Sequence, residues 1–286
     1  MVKFKMILSF PFPIVDFHVH LFPDRMFDAI WKAFRRDYRW EVVYQIYTPE
    51  ILRFLRGRGV ETMVYSNYAH KPGVADFLNQ WNLELLARED NLYCFAAFHP
   101  DDADQEQKIA RLLAHPRILG FKLQLLVQRF FPDDERLFPL YEKVIEAGKR
   151  ILMHVGTGPV GNEFVGSRAF RRLMQRYPDL RVNVPHMGSR EYTPFIEMLD
   201  QYPNLYLDTS FSFLPIQDRH FPINAEILLR CQDRILYGSD FPNLLFSWET
   251  EINFLKKLNL GESFYRKIFR ENGLSLIQET TRSSFL

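Results

Sequence analysis

The chain has 286 residues, 47% of them hydrophobic and 25% charged, which is the composition of an ordinary globular protein. Its 36 basic and 35 acidic residues leave a formal net charge of +1, so the balance points to neither a nucleic-acid nor a membrane partner. No apolar run approaches the roughly 20 residues of a membrane span, and the short patch 6–10 is broken by Pro11 and Pro13 without a small-residue cleavage site, which argues against a signal peptide.

Residues 14–20, Ile-Val-Asp-Phe-His-Val-His, read as a buried strand. Side chains alternate along a strand, so His18 and His20 share a face, and a rise of roughly 3.3 Å per residue lets both imidazoles converge on one metal ion. A loop then runs into an amphipathic helix ending near 37, with Phe27, Ile30, Trp31 and Phe34 on one side. Thr48-Pro49-Glu50 opens the next helix as N-cap, first-position proline and first-turn acid, and Gly57 and Gly59 close it. The second strand, 59–66, leads to Asn67-Tyr68-Ala69-His70, and a long helix starts at Lys71-Pro72-Gly73 and runs to about 90. The third strand, 92–98, ends in His99-Pro100 and is followed by a helix carrying Ile109, Leu112 and Leu113. The fourth, 118–125, carries Lys122 and precedes a helix over 133–147. The fifth, 150–155, carries His154, then Gly156-Thr157-Gly158-Pro159 and a helix over 167–177. The sixth, 180–185, ends in His186-Met187-Gly188 and leads to a short helix over 194–202. The seventh, 205–208, is followed by a helix within 216–231. The eighth, 234–238, ends in Ser239-Asp240-Phe241-Pro242, with helices over 248–258 and 262–277 and a loose polar tail over 280–286.

Strands and helices thus alternate eight times within one domain, 1–286. The strands are short apolar runs with little polar alternation, as buried parallel strands are. The expectation is an α/β fold, a closed (β/α)₈ TIM barrel, since the length is near the roughly 250 residues typical of one. An open doubly wound sheet is the alternative, and no glycine-rich nucleotide fingerprint follows any strand. In a barrel the C-terminal strand ends build the active site. His18, His20, His70, His99, Lys122, His154, His186 and Asp240 all fall there, leaving only His115 and His220 of the eight histidines elsewhere. Imidazole with carboxylate suits Zn²⁺ and similar ions.

Other residues admit two readings each. His70 and Lys71 either contact substrate or face solvent, and Arg129 and Arg190 either clamp a carboxylate or join neighbouring loops. The 156–159 loop either offers N–H groups to an anion or is a tight turn, and Asp208 anchors the rim by hydrogen bonds. Aromatics reach 15%, with 27 Phe, which fits a Phe-rich core, an aromatic-lined pocket or the apolar face of a homodimer. Phe130, Phe131, Phe211 and Phe213 belong to one of the first two. Cys94 and Cys231 lie far apart in apolar contexts and read as buried thiols of a cytoplasmic protein.

The segments D-F-H-V-H (16–20), G-F-K-L (120–123), L-M-H-V-G (152–156), P-H-M-G (185–188) and Y-G-S-D-F-P (237–242) span nearly the whole chain. As an ordered set they resemble the amidohydrolase superfamily, most closely its TIM-barrel metal-dependent hydrolases related to aminocarboxymuconate-semialdehyde decarboxylase. The resemblance implies that His18, His20, His154 and Asp240 ligate a catalytic divalent metal, Zn²⁺ being the first expectation. It implies that Asp240 also takes a proton from metal-bound water, and that His186 is an acid–base group or a ligand of a second metal. Lys122 matches the position carbamylated in two-metal members; unmodified, it is an ammonium suited to a substrate carboxylate. One metal is expected, because that branch is mostly mononuclear, and Gln124 stands where relatives often carry histidine. The implied activity is hydrolysis of a C–O or C–N bond in a small carboxylated or cyclic substrate, with His70 and Arg190 as possible substrate contacts. The alternative is non-oxidative decarboxylation of an aromatic or unsaturated acid.

Overall fold

The computed structural model describes residues 10–158, 160–214, 221 and 224–282. The 6–9 part of the N-terminal patch, Pro159, His220 and the 283–286 end of the tail lie outside them. Eight strands form one parallel sheet in chain order: β1 Ile14–His20, β2 Val60–Ser66, β3 Leu92–Ala97, β4 Ile118–Gln124, β5 Arg150–His154, β6 Val182–Val184, β7 Leu205–Asp208 and β8 Ile235–Leu236. The sheet curls until its ends meet. Tyr237 O accepts from Phe17 N, His18 O from Asp240 N and Phe241 O from His20 N, each at 2.8 Å. With a parallel bridge between Val19 and Phe241, this closes the expected (β/α)₈ barrel.

The lower interior is filled by Val15, Phe17, Val64, Phe95, Leu119, Leu152 and Leu236, with Leu276 and Ile277 of the last helix closing the floor. Gly273 permits that closure: a Cβ there would stand 2.7 Å from Val15 Cγ1. The larger core lies between the sheet and the surrounding helices. Above the apolar floor the inward positions turn polar, and His18, Ser66, Lys122, His154 and Asp208 are all buried.

Several element ends differ from expectation. The helix after β2 is Ala75–Arg88, because Gly73 adopts φ +81° and makes Lys71-Pro72-Gly73 a turn. The ladder of β8 is shorter than 234–238, since Tyr237 onward pairs with β1 instead of β7. The tail is not loose through 282: helix Asn272–Arg282 includes Thr280, fully buried with its hydroxyl donating to Leu276 O at 2.7 Å. The helix within 216–231 is Ala225–Cys231, capped by Asn224 Oδ1 accepting from Glu226 N and Ile227 N. The first helix, Asp24–Ala33, continues as a π-helical turn, Phe34–Tyr38, before Arg39 at φ 56° ends it.

Candidate metal centre

Two strand ends meet to make the centre. On β1, His18 and His20 project into the barrel, their ring centroids 5.0 Å apart. From the β8 end, Asp240 Oδ1 lies 2.8 Å from His20 Nε2 and 3.2 Å from His18 Nε2. Gly238 makes this approach possible, because a Cβ there would sit 2.7 Å from His18 Cβ and 3.1 Å from Asp208 Cγ. Asp240 itself holds φ 61°, a costly conformation for a non-glycine residue, fixed by its N–H bond to His18 O.

Asp208, at the end of β7, orients two imidazoles from behind. Its Oδ2 accepts from His18 Nδ1 at 2.9 Å, which makes Nδ1 the protonated nitrogen and leaves Nε2 facing Asp240. Its Oδ1 accepts from His186 N at 3.0 Å, from Ser210 N at 3.1 Å and from the Ser210 hydroxyl. Ser210 Oγ and O in turn accept from His186 Nδ1 at 2.8 and 3.1 Å. His186 holds φ 60°, so the β6 end bends sharply to bring its ring here.

Burial opposes charge on Asp240, but His20 and His18 beside it hold the carboxyl well below the usual carboxylate range. Burial likewise opposes ionised Asp208, yet His18 and its hydrogen bonds bring the group down to about 2. His18 is raised: burial disfavours its cation, and Asp208 and Asp240 together outweigh that. Burial lowers His20, pushes His186 down to about 4 and takes His154 well below the ordinary histidine value, so these rings are neutral lone-pair donors at neutral pH. Lys122 is fully buried, and desolvation brings its ammonium down to about 8 against the pull of Asp240 and Asp208.

Above these groups opens a cavity of about 150 Å³. His20, His154, His186 and Asp240 form its base; Gln124, Arg190 and Asn243 supply polar wall. The remaining wall is mostly apolar, with Phe34, Tyr38, Trp40, Tyr68, Phe211 and Phe246. His154 shares the base, its ring centroid 4.8 Å from that of His186, but its Nε2 donates to Gly158 O at 3.0 Å, and it joins neither compact donor cluster. Gly158 N donates to Ser189 O at 2.6 Å, so that loop is bonded to its neighbour. His70 is exposed and does not line the cavity; Tyr68 does, from the same turn after β2. His99 is buried beside a separate small crevice. Of the four phenylalanines, only Phe211 reaches the cavity; Phe130 and Phe213 are buried core, and Phe131 lies tilted against Phe164 near the surface. Arg129 lies over the Phe164 ring at 5.9 Å.

Sequence reasoning did not single out Tyr68, Asn243 or the Phe34–Tyr38–Trp40 group. An aromatic spacing of four and two residues around a helix end was the available signal for the last. The donors fit a divalent cation. Among the described residues, His18, His20 and Asp240 present ligand atoms within 4.8 Å of one another, and so do His18, His186 and Asp208. In the second group the donor atoms are already engaged in the Asp208–Ser210 hydrogen bonds. In the first, His18 Nε2 and His20 Nδ1 are buried without a hydrogen-bond partner, as is Lys122 Nζ nearby. A buried nitrogen lone pair 3.2 Å from a carboxylate oxygen is unfavourable unless a proton or cation lies between them.

The chain resembles several solved structures. One is an uncharacterised TIM-barrel protein from Bordetella bronchiseptica, with 19% identity, coverage of 94% of this chain and 99% of that one, and a TM-score of 0.69. Another is 5-carboxyvanillate decarboxylase from Novosphingobium aromaticivorans, solved with manganese and 4-hydroxy-3-methoxy-5-nitrobenzoic acid, at 13%, 94%, 96% and 0.65. A third is dihydroorotase from Campylobacter jejuni, at 16%, 93%, 83% and 0.60. At these identities the likeness establishes the fold. No curated protein matches the chain. The amidohydrolase family model matches residues 15–276, from the first strand of the barrel to its closing helix, and the chain belongs to that family.

Proposed function

We propose that this protein is a metal-dependent enzyme that removes CO₂, without oxidation, from a small aromatic carboxylic acid. The observation that carries this reading is the aromatic wall that shares one cavity with His20, His154, His186 and Asp240. A flat ring fits between such walls, and a carboxylate held there is stripped of water, a penalty relieved as neutral CO₂ departs and the electron pair left on the ring carbon takes up a proton. The hydrolytic reading preferred from the sequence alone takes second place on this ground. The structural likeness to a decarboxylase that was solved with a substituted benzoic acid supports the same order.

His18, His20 and Asp240 would hold the metal, and His154 would join them as a fourth donor on giving up its bond to Gly158 O. When bound, the ion would supply positive charge to hold substrate oxygens and withdraw electron density. Arg190, exposed at the cavity rim, meets the incoming anion. The reaction exchanges a C–CO₂⁻ bond for a C–H bond and so consumes one proton. His186 is the group placed to deliver it, because its Nδ1 is committed to Ser210 and Nε2 remains for the substrate. Held down to about 4, its imidazolium is a strong donor once formed.

The second reading, hydrolysis of a lactone or cyclic amide, is favoured by Asp240. The neighbouring His20 and His18 keep it ionised, and its carboxylate lies beside the donor nitrogens where a water would be held. The test is turnover of an aromatic-acid and lactone panel by metal-loaded protein in heavy-isotope solvent. Release of CO₂ with solvent deuterium on the product carbon supports decarboxylation. Solvent ¹⁸O in the product, with no CO₂, refutes it in favour of hydrolysis.

A further inference from the structure

Tyr68 occupies an unusual position for a tyrosine. Its residue is 9% exposed, and what remains accessible lines the metal cavity. The ring is fixed edge-on against Phe22, centroids 5.5 Å apart at 86°, and Phe22 in turn stacks near His20 at 6.2 Å and 14°. The hydroxyl has no hydrogen-bond partner among the described residues, unlike the buried hydroxyls of Tyr65, Tyr141 and Tyr265, which donate to backbone carbonyls. The groups that act on it electrostatically are Tyr38 and Asp240, both on the cavity. Burial pushes its ionisation far above neutrality, so it stays protonated and able to donate throughout the working range.

Before substrate enters, water can satisfy this hydroxyl. A ring that fills the cavity expels that water, and the desolvated O–H then requires an acceptor on the substrate. The neighbouring walls are mostly aromatic; Gln124 and Asn243 also line the cavity, with amide oxygens that no hydrogen bond joins to this hydroxyl, and the acceptors at the base are the metal-binding set. We propose that Tyr68 donates its hydrogen bond to an anionic oxygen of the substrate, a carboxylate or ring oxygenate, and so fixes the ring over the metal. This assignment rests on the aromatic-acid reading. It adds a donor on the β2 side of the mouth, across the barrel from Arg190, which follows β6.

The test measures binding of benzoate, and of toluene as its neutral counterpart, to metal-loaded wild type and Tyr68→Phe by calorimetry. The phenylalanine keeps the ring packed on Phe22 and removes only the hydroxyl. The expected result is a 10–100-fold weaker benzoate Kd in the variant, the range of one charge-assisted hydrogen bond, with toluene binding and metal content unchanged. Equal benzoate affinity in the two proteins would overturn the assignment and leave the aromatic-acid reading standing. Parallel loss of benzoate and toluene would also overturn it, since that marks a packing role. Failure of wild type to bind benzoate at all would overturn the aromatic-acid reading, and this assignment with it.

Discussion

Replacing Asp208 by Asn should weaken the metal centre although Asp208 belongs behind the ligands. The wild-type carboxylate accepts from His18 Nδ1 at 2.9 Å with one oxygen and from three groups of His186 and Ser210 with the other. Asparagine of the same shape keeps one acceptor oxygen. If that oxygen serves His186 and Ser210, the amide NH₂ faces His18 Nδ1, and two donors oppose each other. His18 then relieves the clash by moving its proton to Nε2, the nitrogen that faces Asp240 and His20, and so loses the lone pair a metal needs. One charge-assisted hydrogen bond is worth about 1.5–3 kcal/mol, and loss of such an orienting partner costs about 10–100-fold in metal affinity. The assay is metal content by mass spectrometry after dialysis against graded chelator, with wild type alongside and circular dichroism to confirm the fold. A Kd raised 10–100-fold is expected. Asp208→Asn protein with wild-type metal affinity would refute the claim that Asp208 sets the His18 tautomer.

His18→Ala, His20→Ala and Asp240→Ala should each lose metal and turnover together, whereas His186→Ala should retain metal and lose at least about 10²-fold in kcat; elemental analysis beside steady-state kinetics separates the two, and normal turnover of His186→Ala would sink its proton-transfer role. Glu251 predicts a pH dependence of stability. It is buried and accepts from Phe211, Ser212 and Phe213 N–H groups, yet desolvation lifts it from 4.5 to about 8. The folded state therefore holds a proton that the unfolded state releases between pH 4.5 and 8. Stability should be greatest below that window and fall across it by on the order of 4 kcal/mol. Urea midpoints from pH 5 to 8.5 check this, and a flat profile in wild type would contradict it. Gly238→Ala would place a Cβ 2.7 Å from that of His18, so it should destabilise by about 1–3 kcal/mol and displace His18; denaturation and metal titration on one sample would read both effects.

Much of the barrel is written locally. Short continuous apolar runs and amphipathic helices specify each element within its own few residues, and the alternation of side chains along a strand places His18 and His20 on one face. The identity of the strand-end residues was legible for the same reason, since the closing turn of each strand is a sequence-local event. What lies outside that reach is which strand-end side chain turns inward. After β2 the chain delivers Tyr68 to the cavity and leaves His70 exposed. After β5, His154 gives its Nε2 to the Gly158 carbonyl. The aromatic wall has the same origin: Phe34, Tyr38 and Trp40 reach the mouth because the first helix ends in a π-helical turn and Arg39 reverses the backbone. Asp208 could be read as a rim anchor from its place on the seventh strand. Its grip on both His18, 190 positions away in the chain, and His186 depends on β7 lying beside β6 and β8 while β8 closes onto β1. Local periodicity determines strands, helices and the candidate donors; closure of the sheet decides which of them share a cavity, because only closure brings together strand ends that lie far apart in the chain.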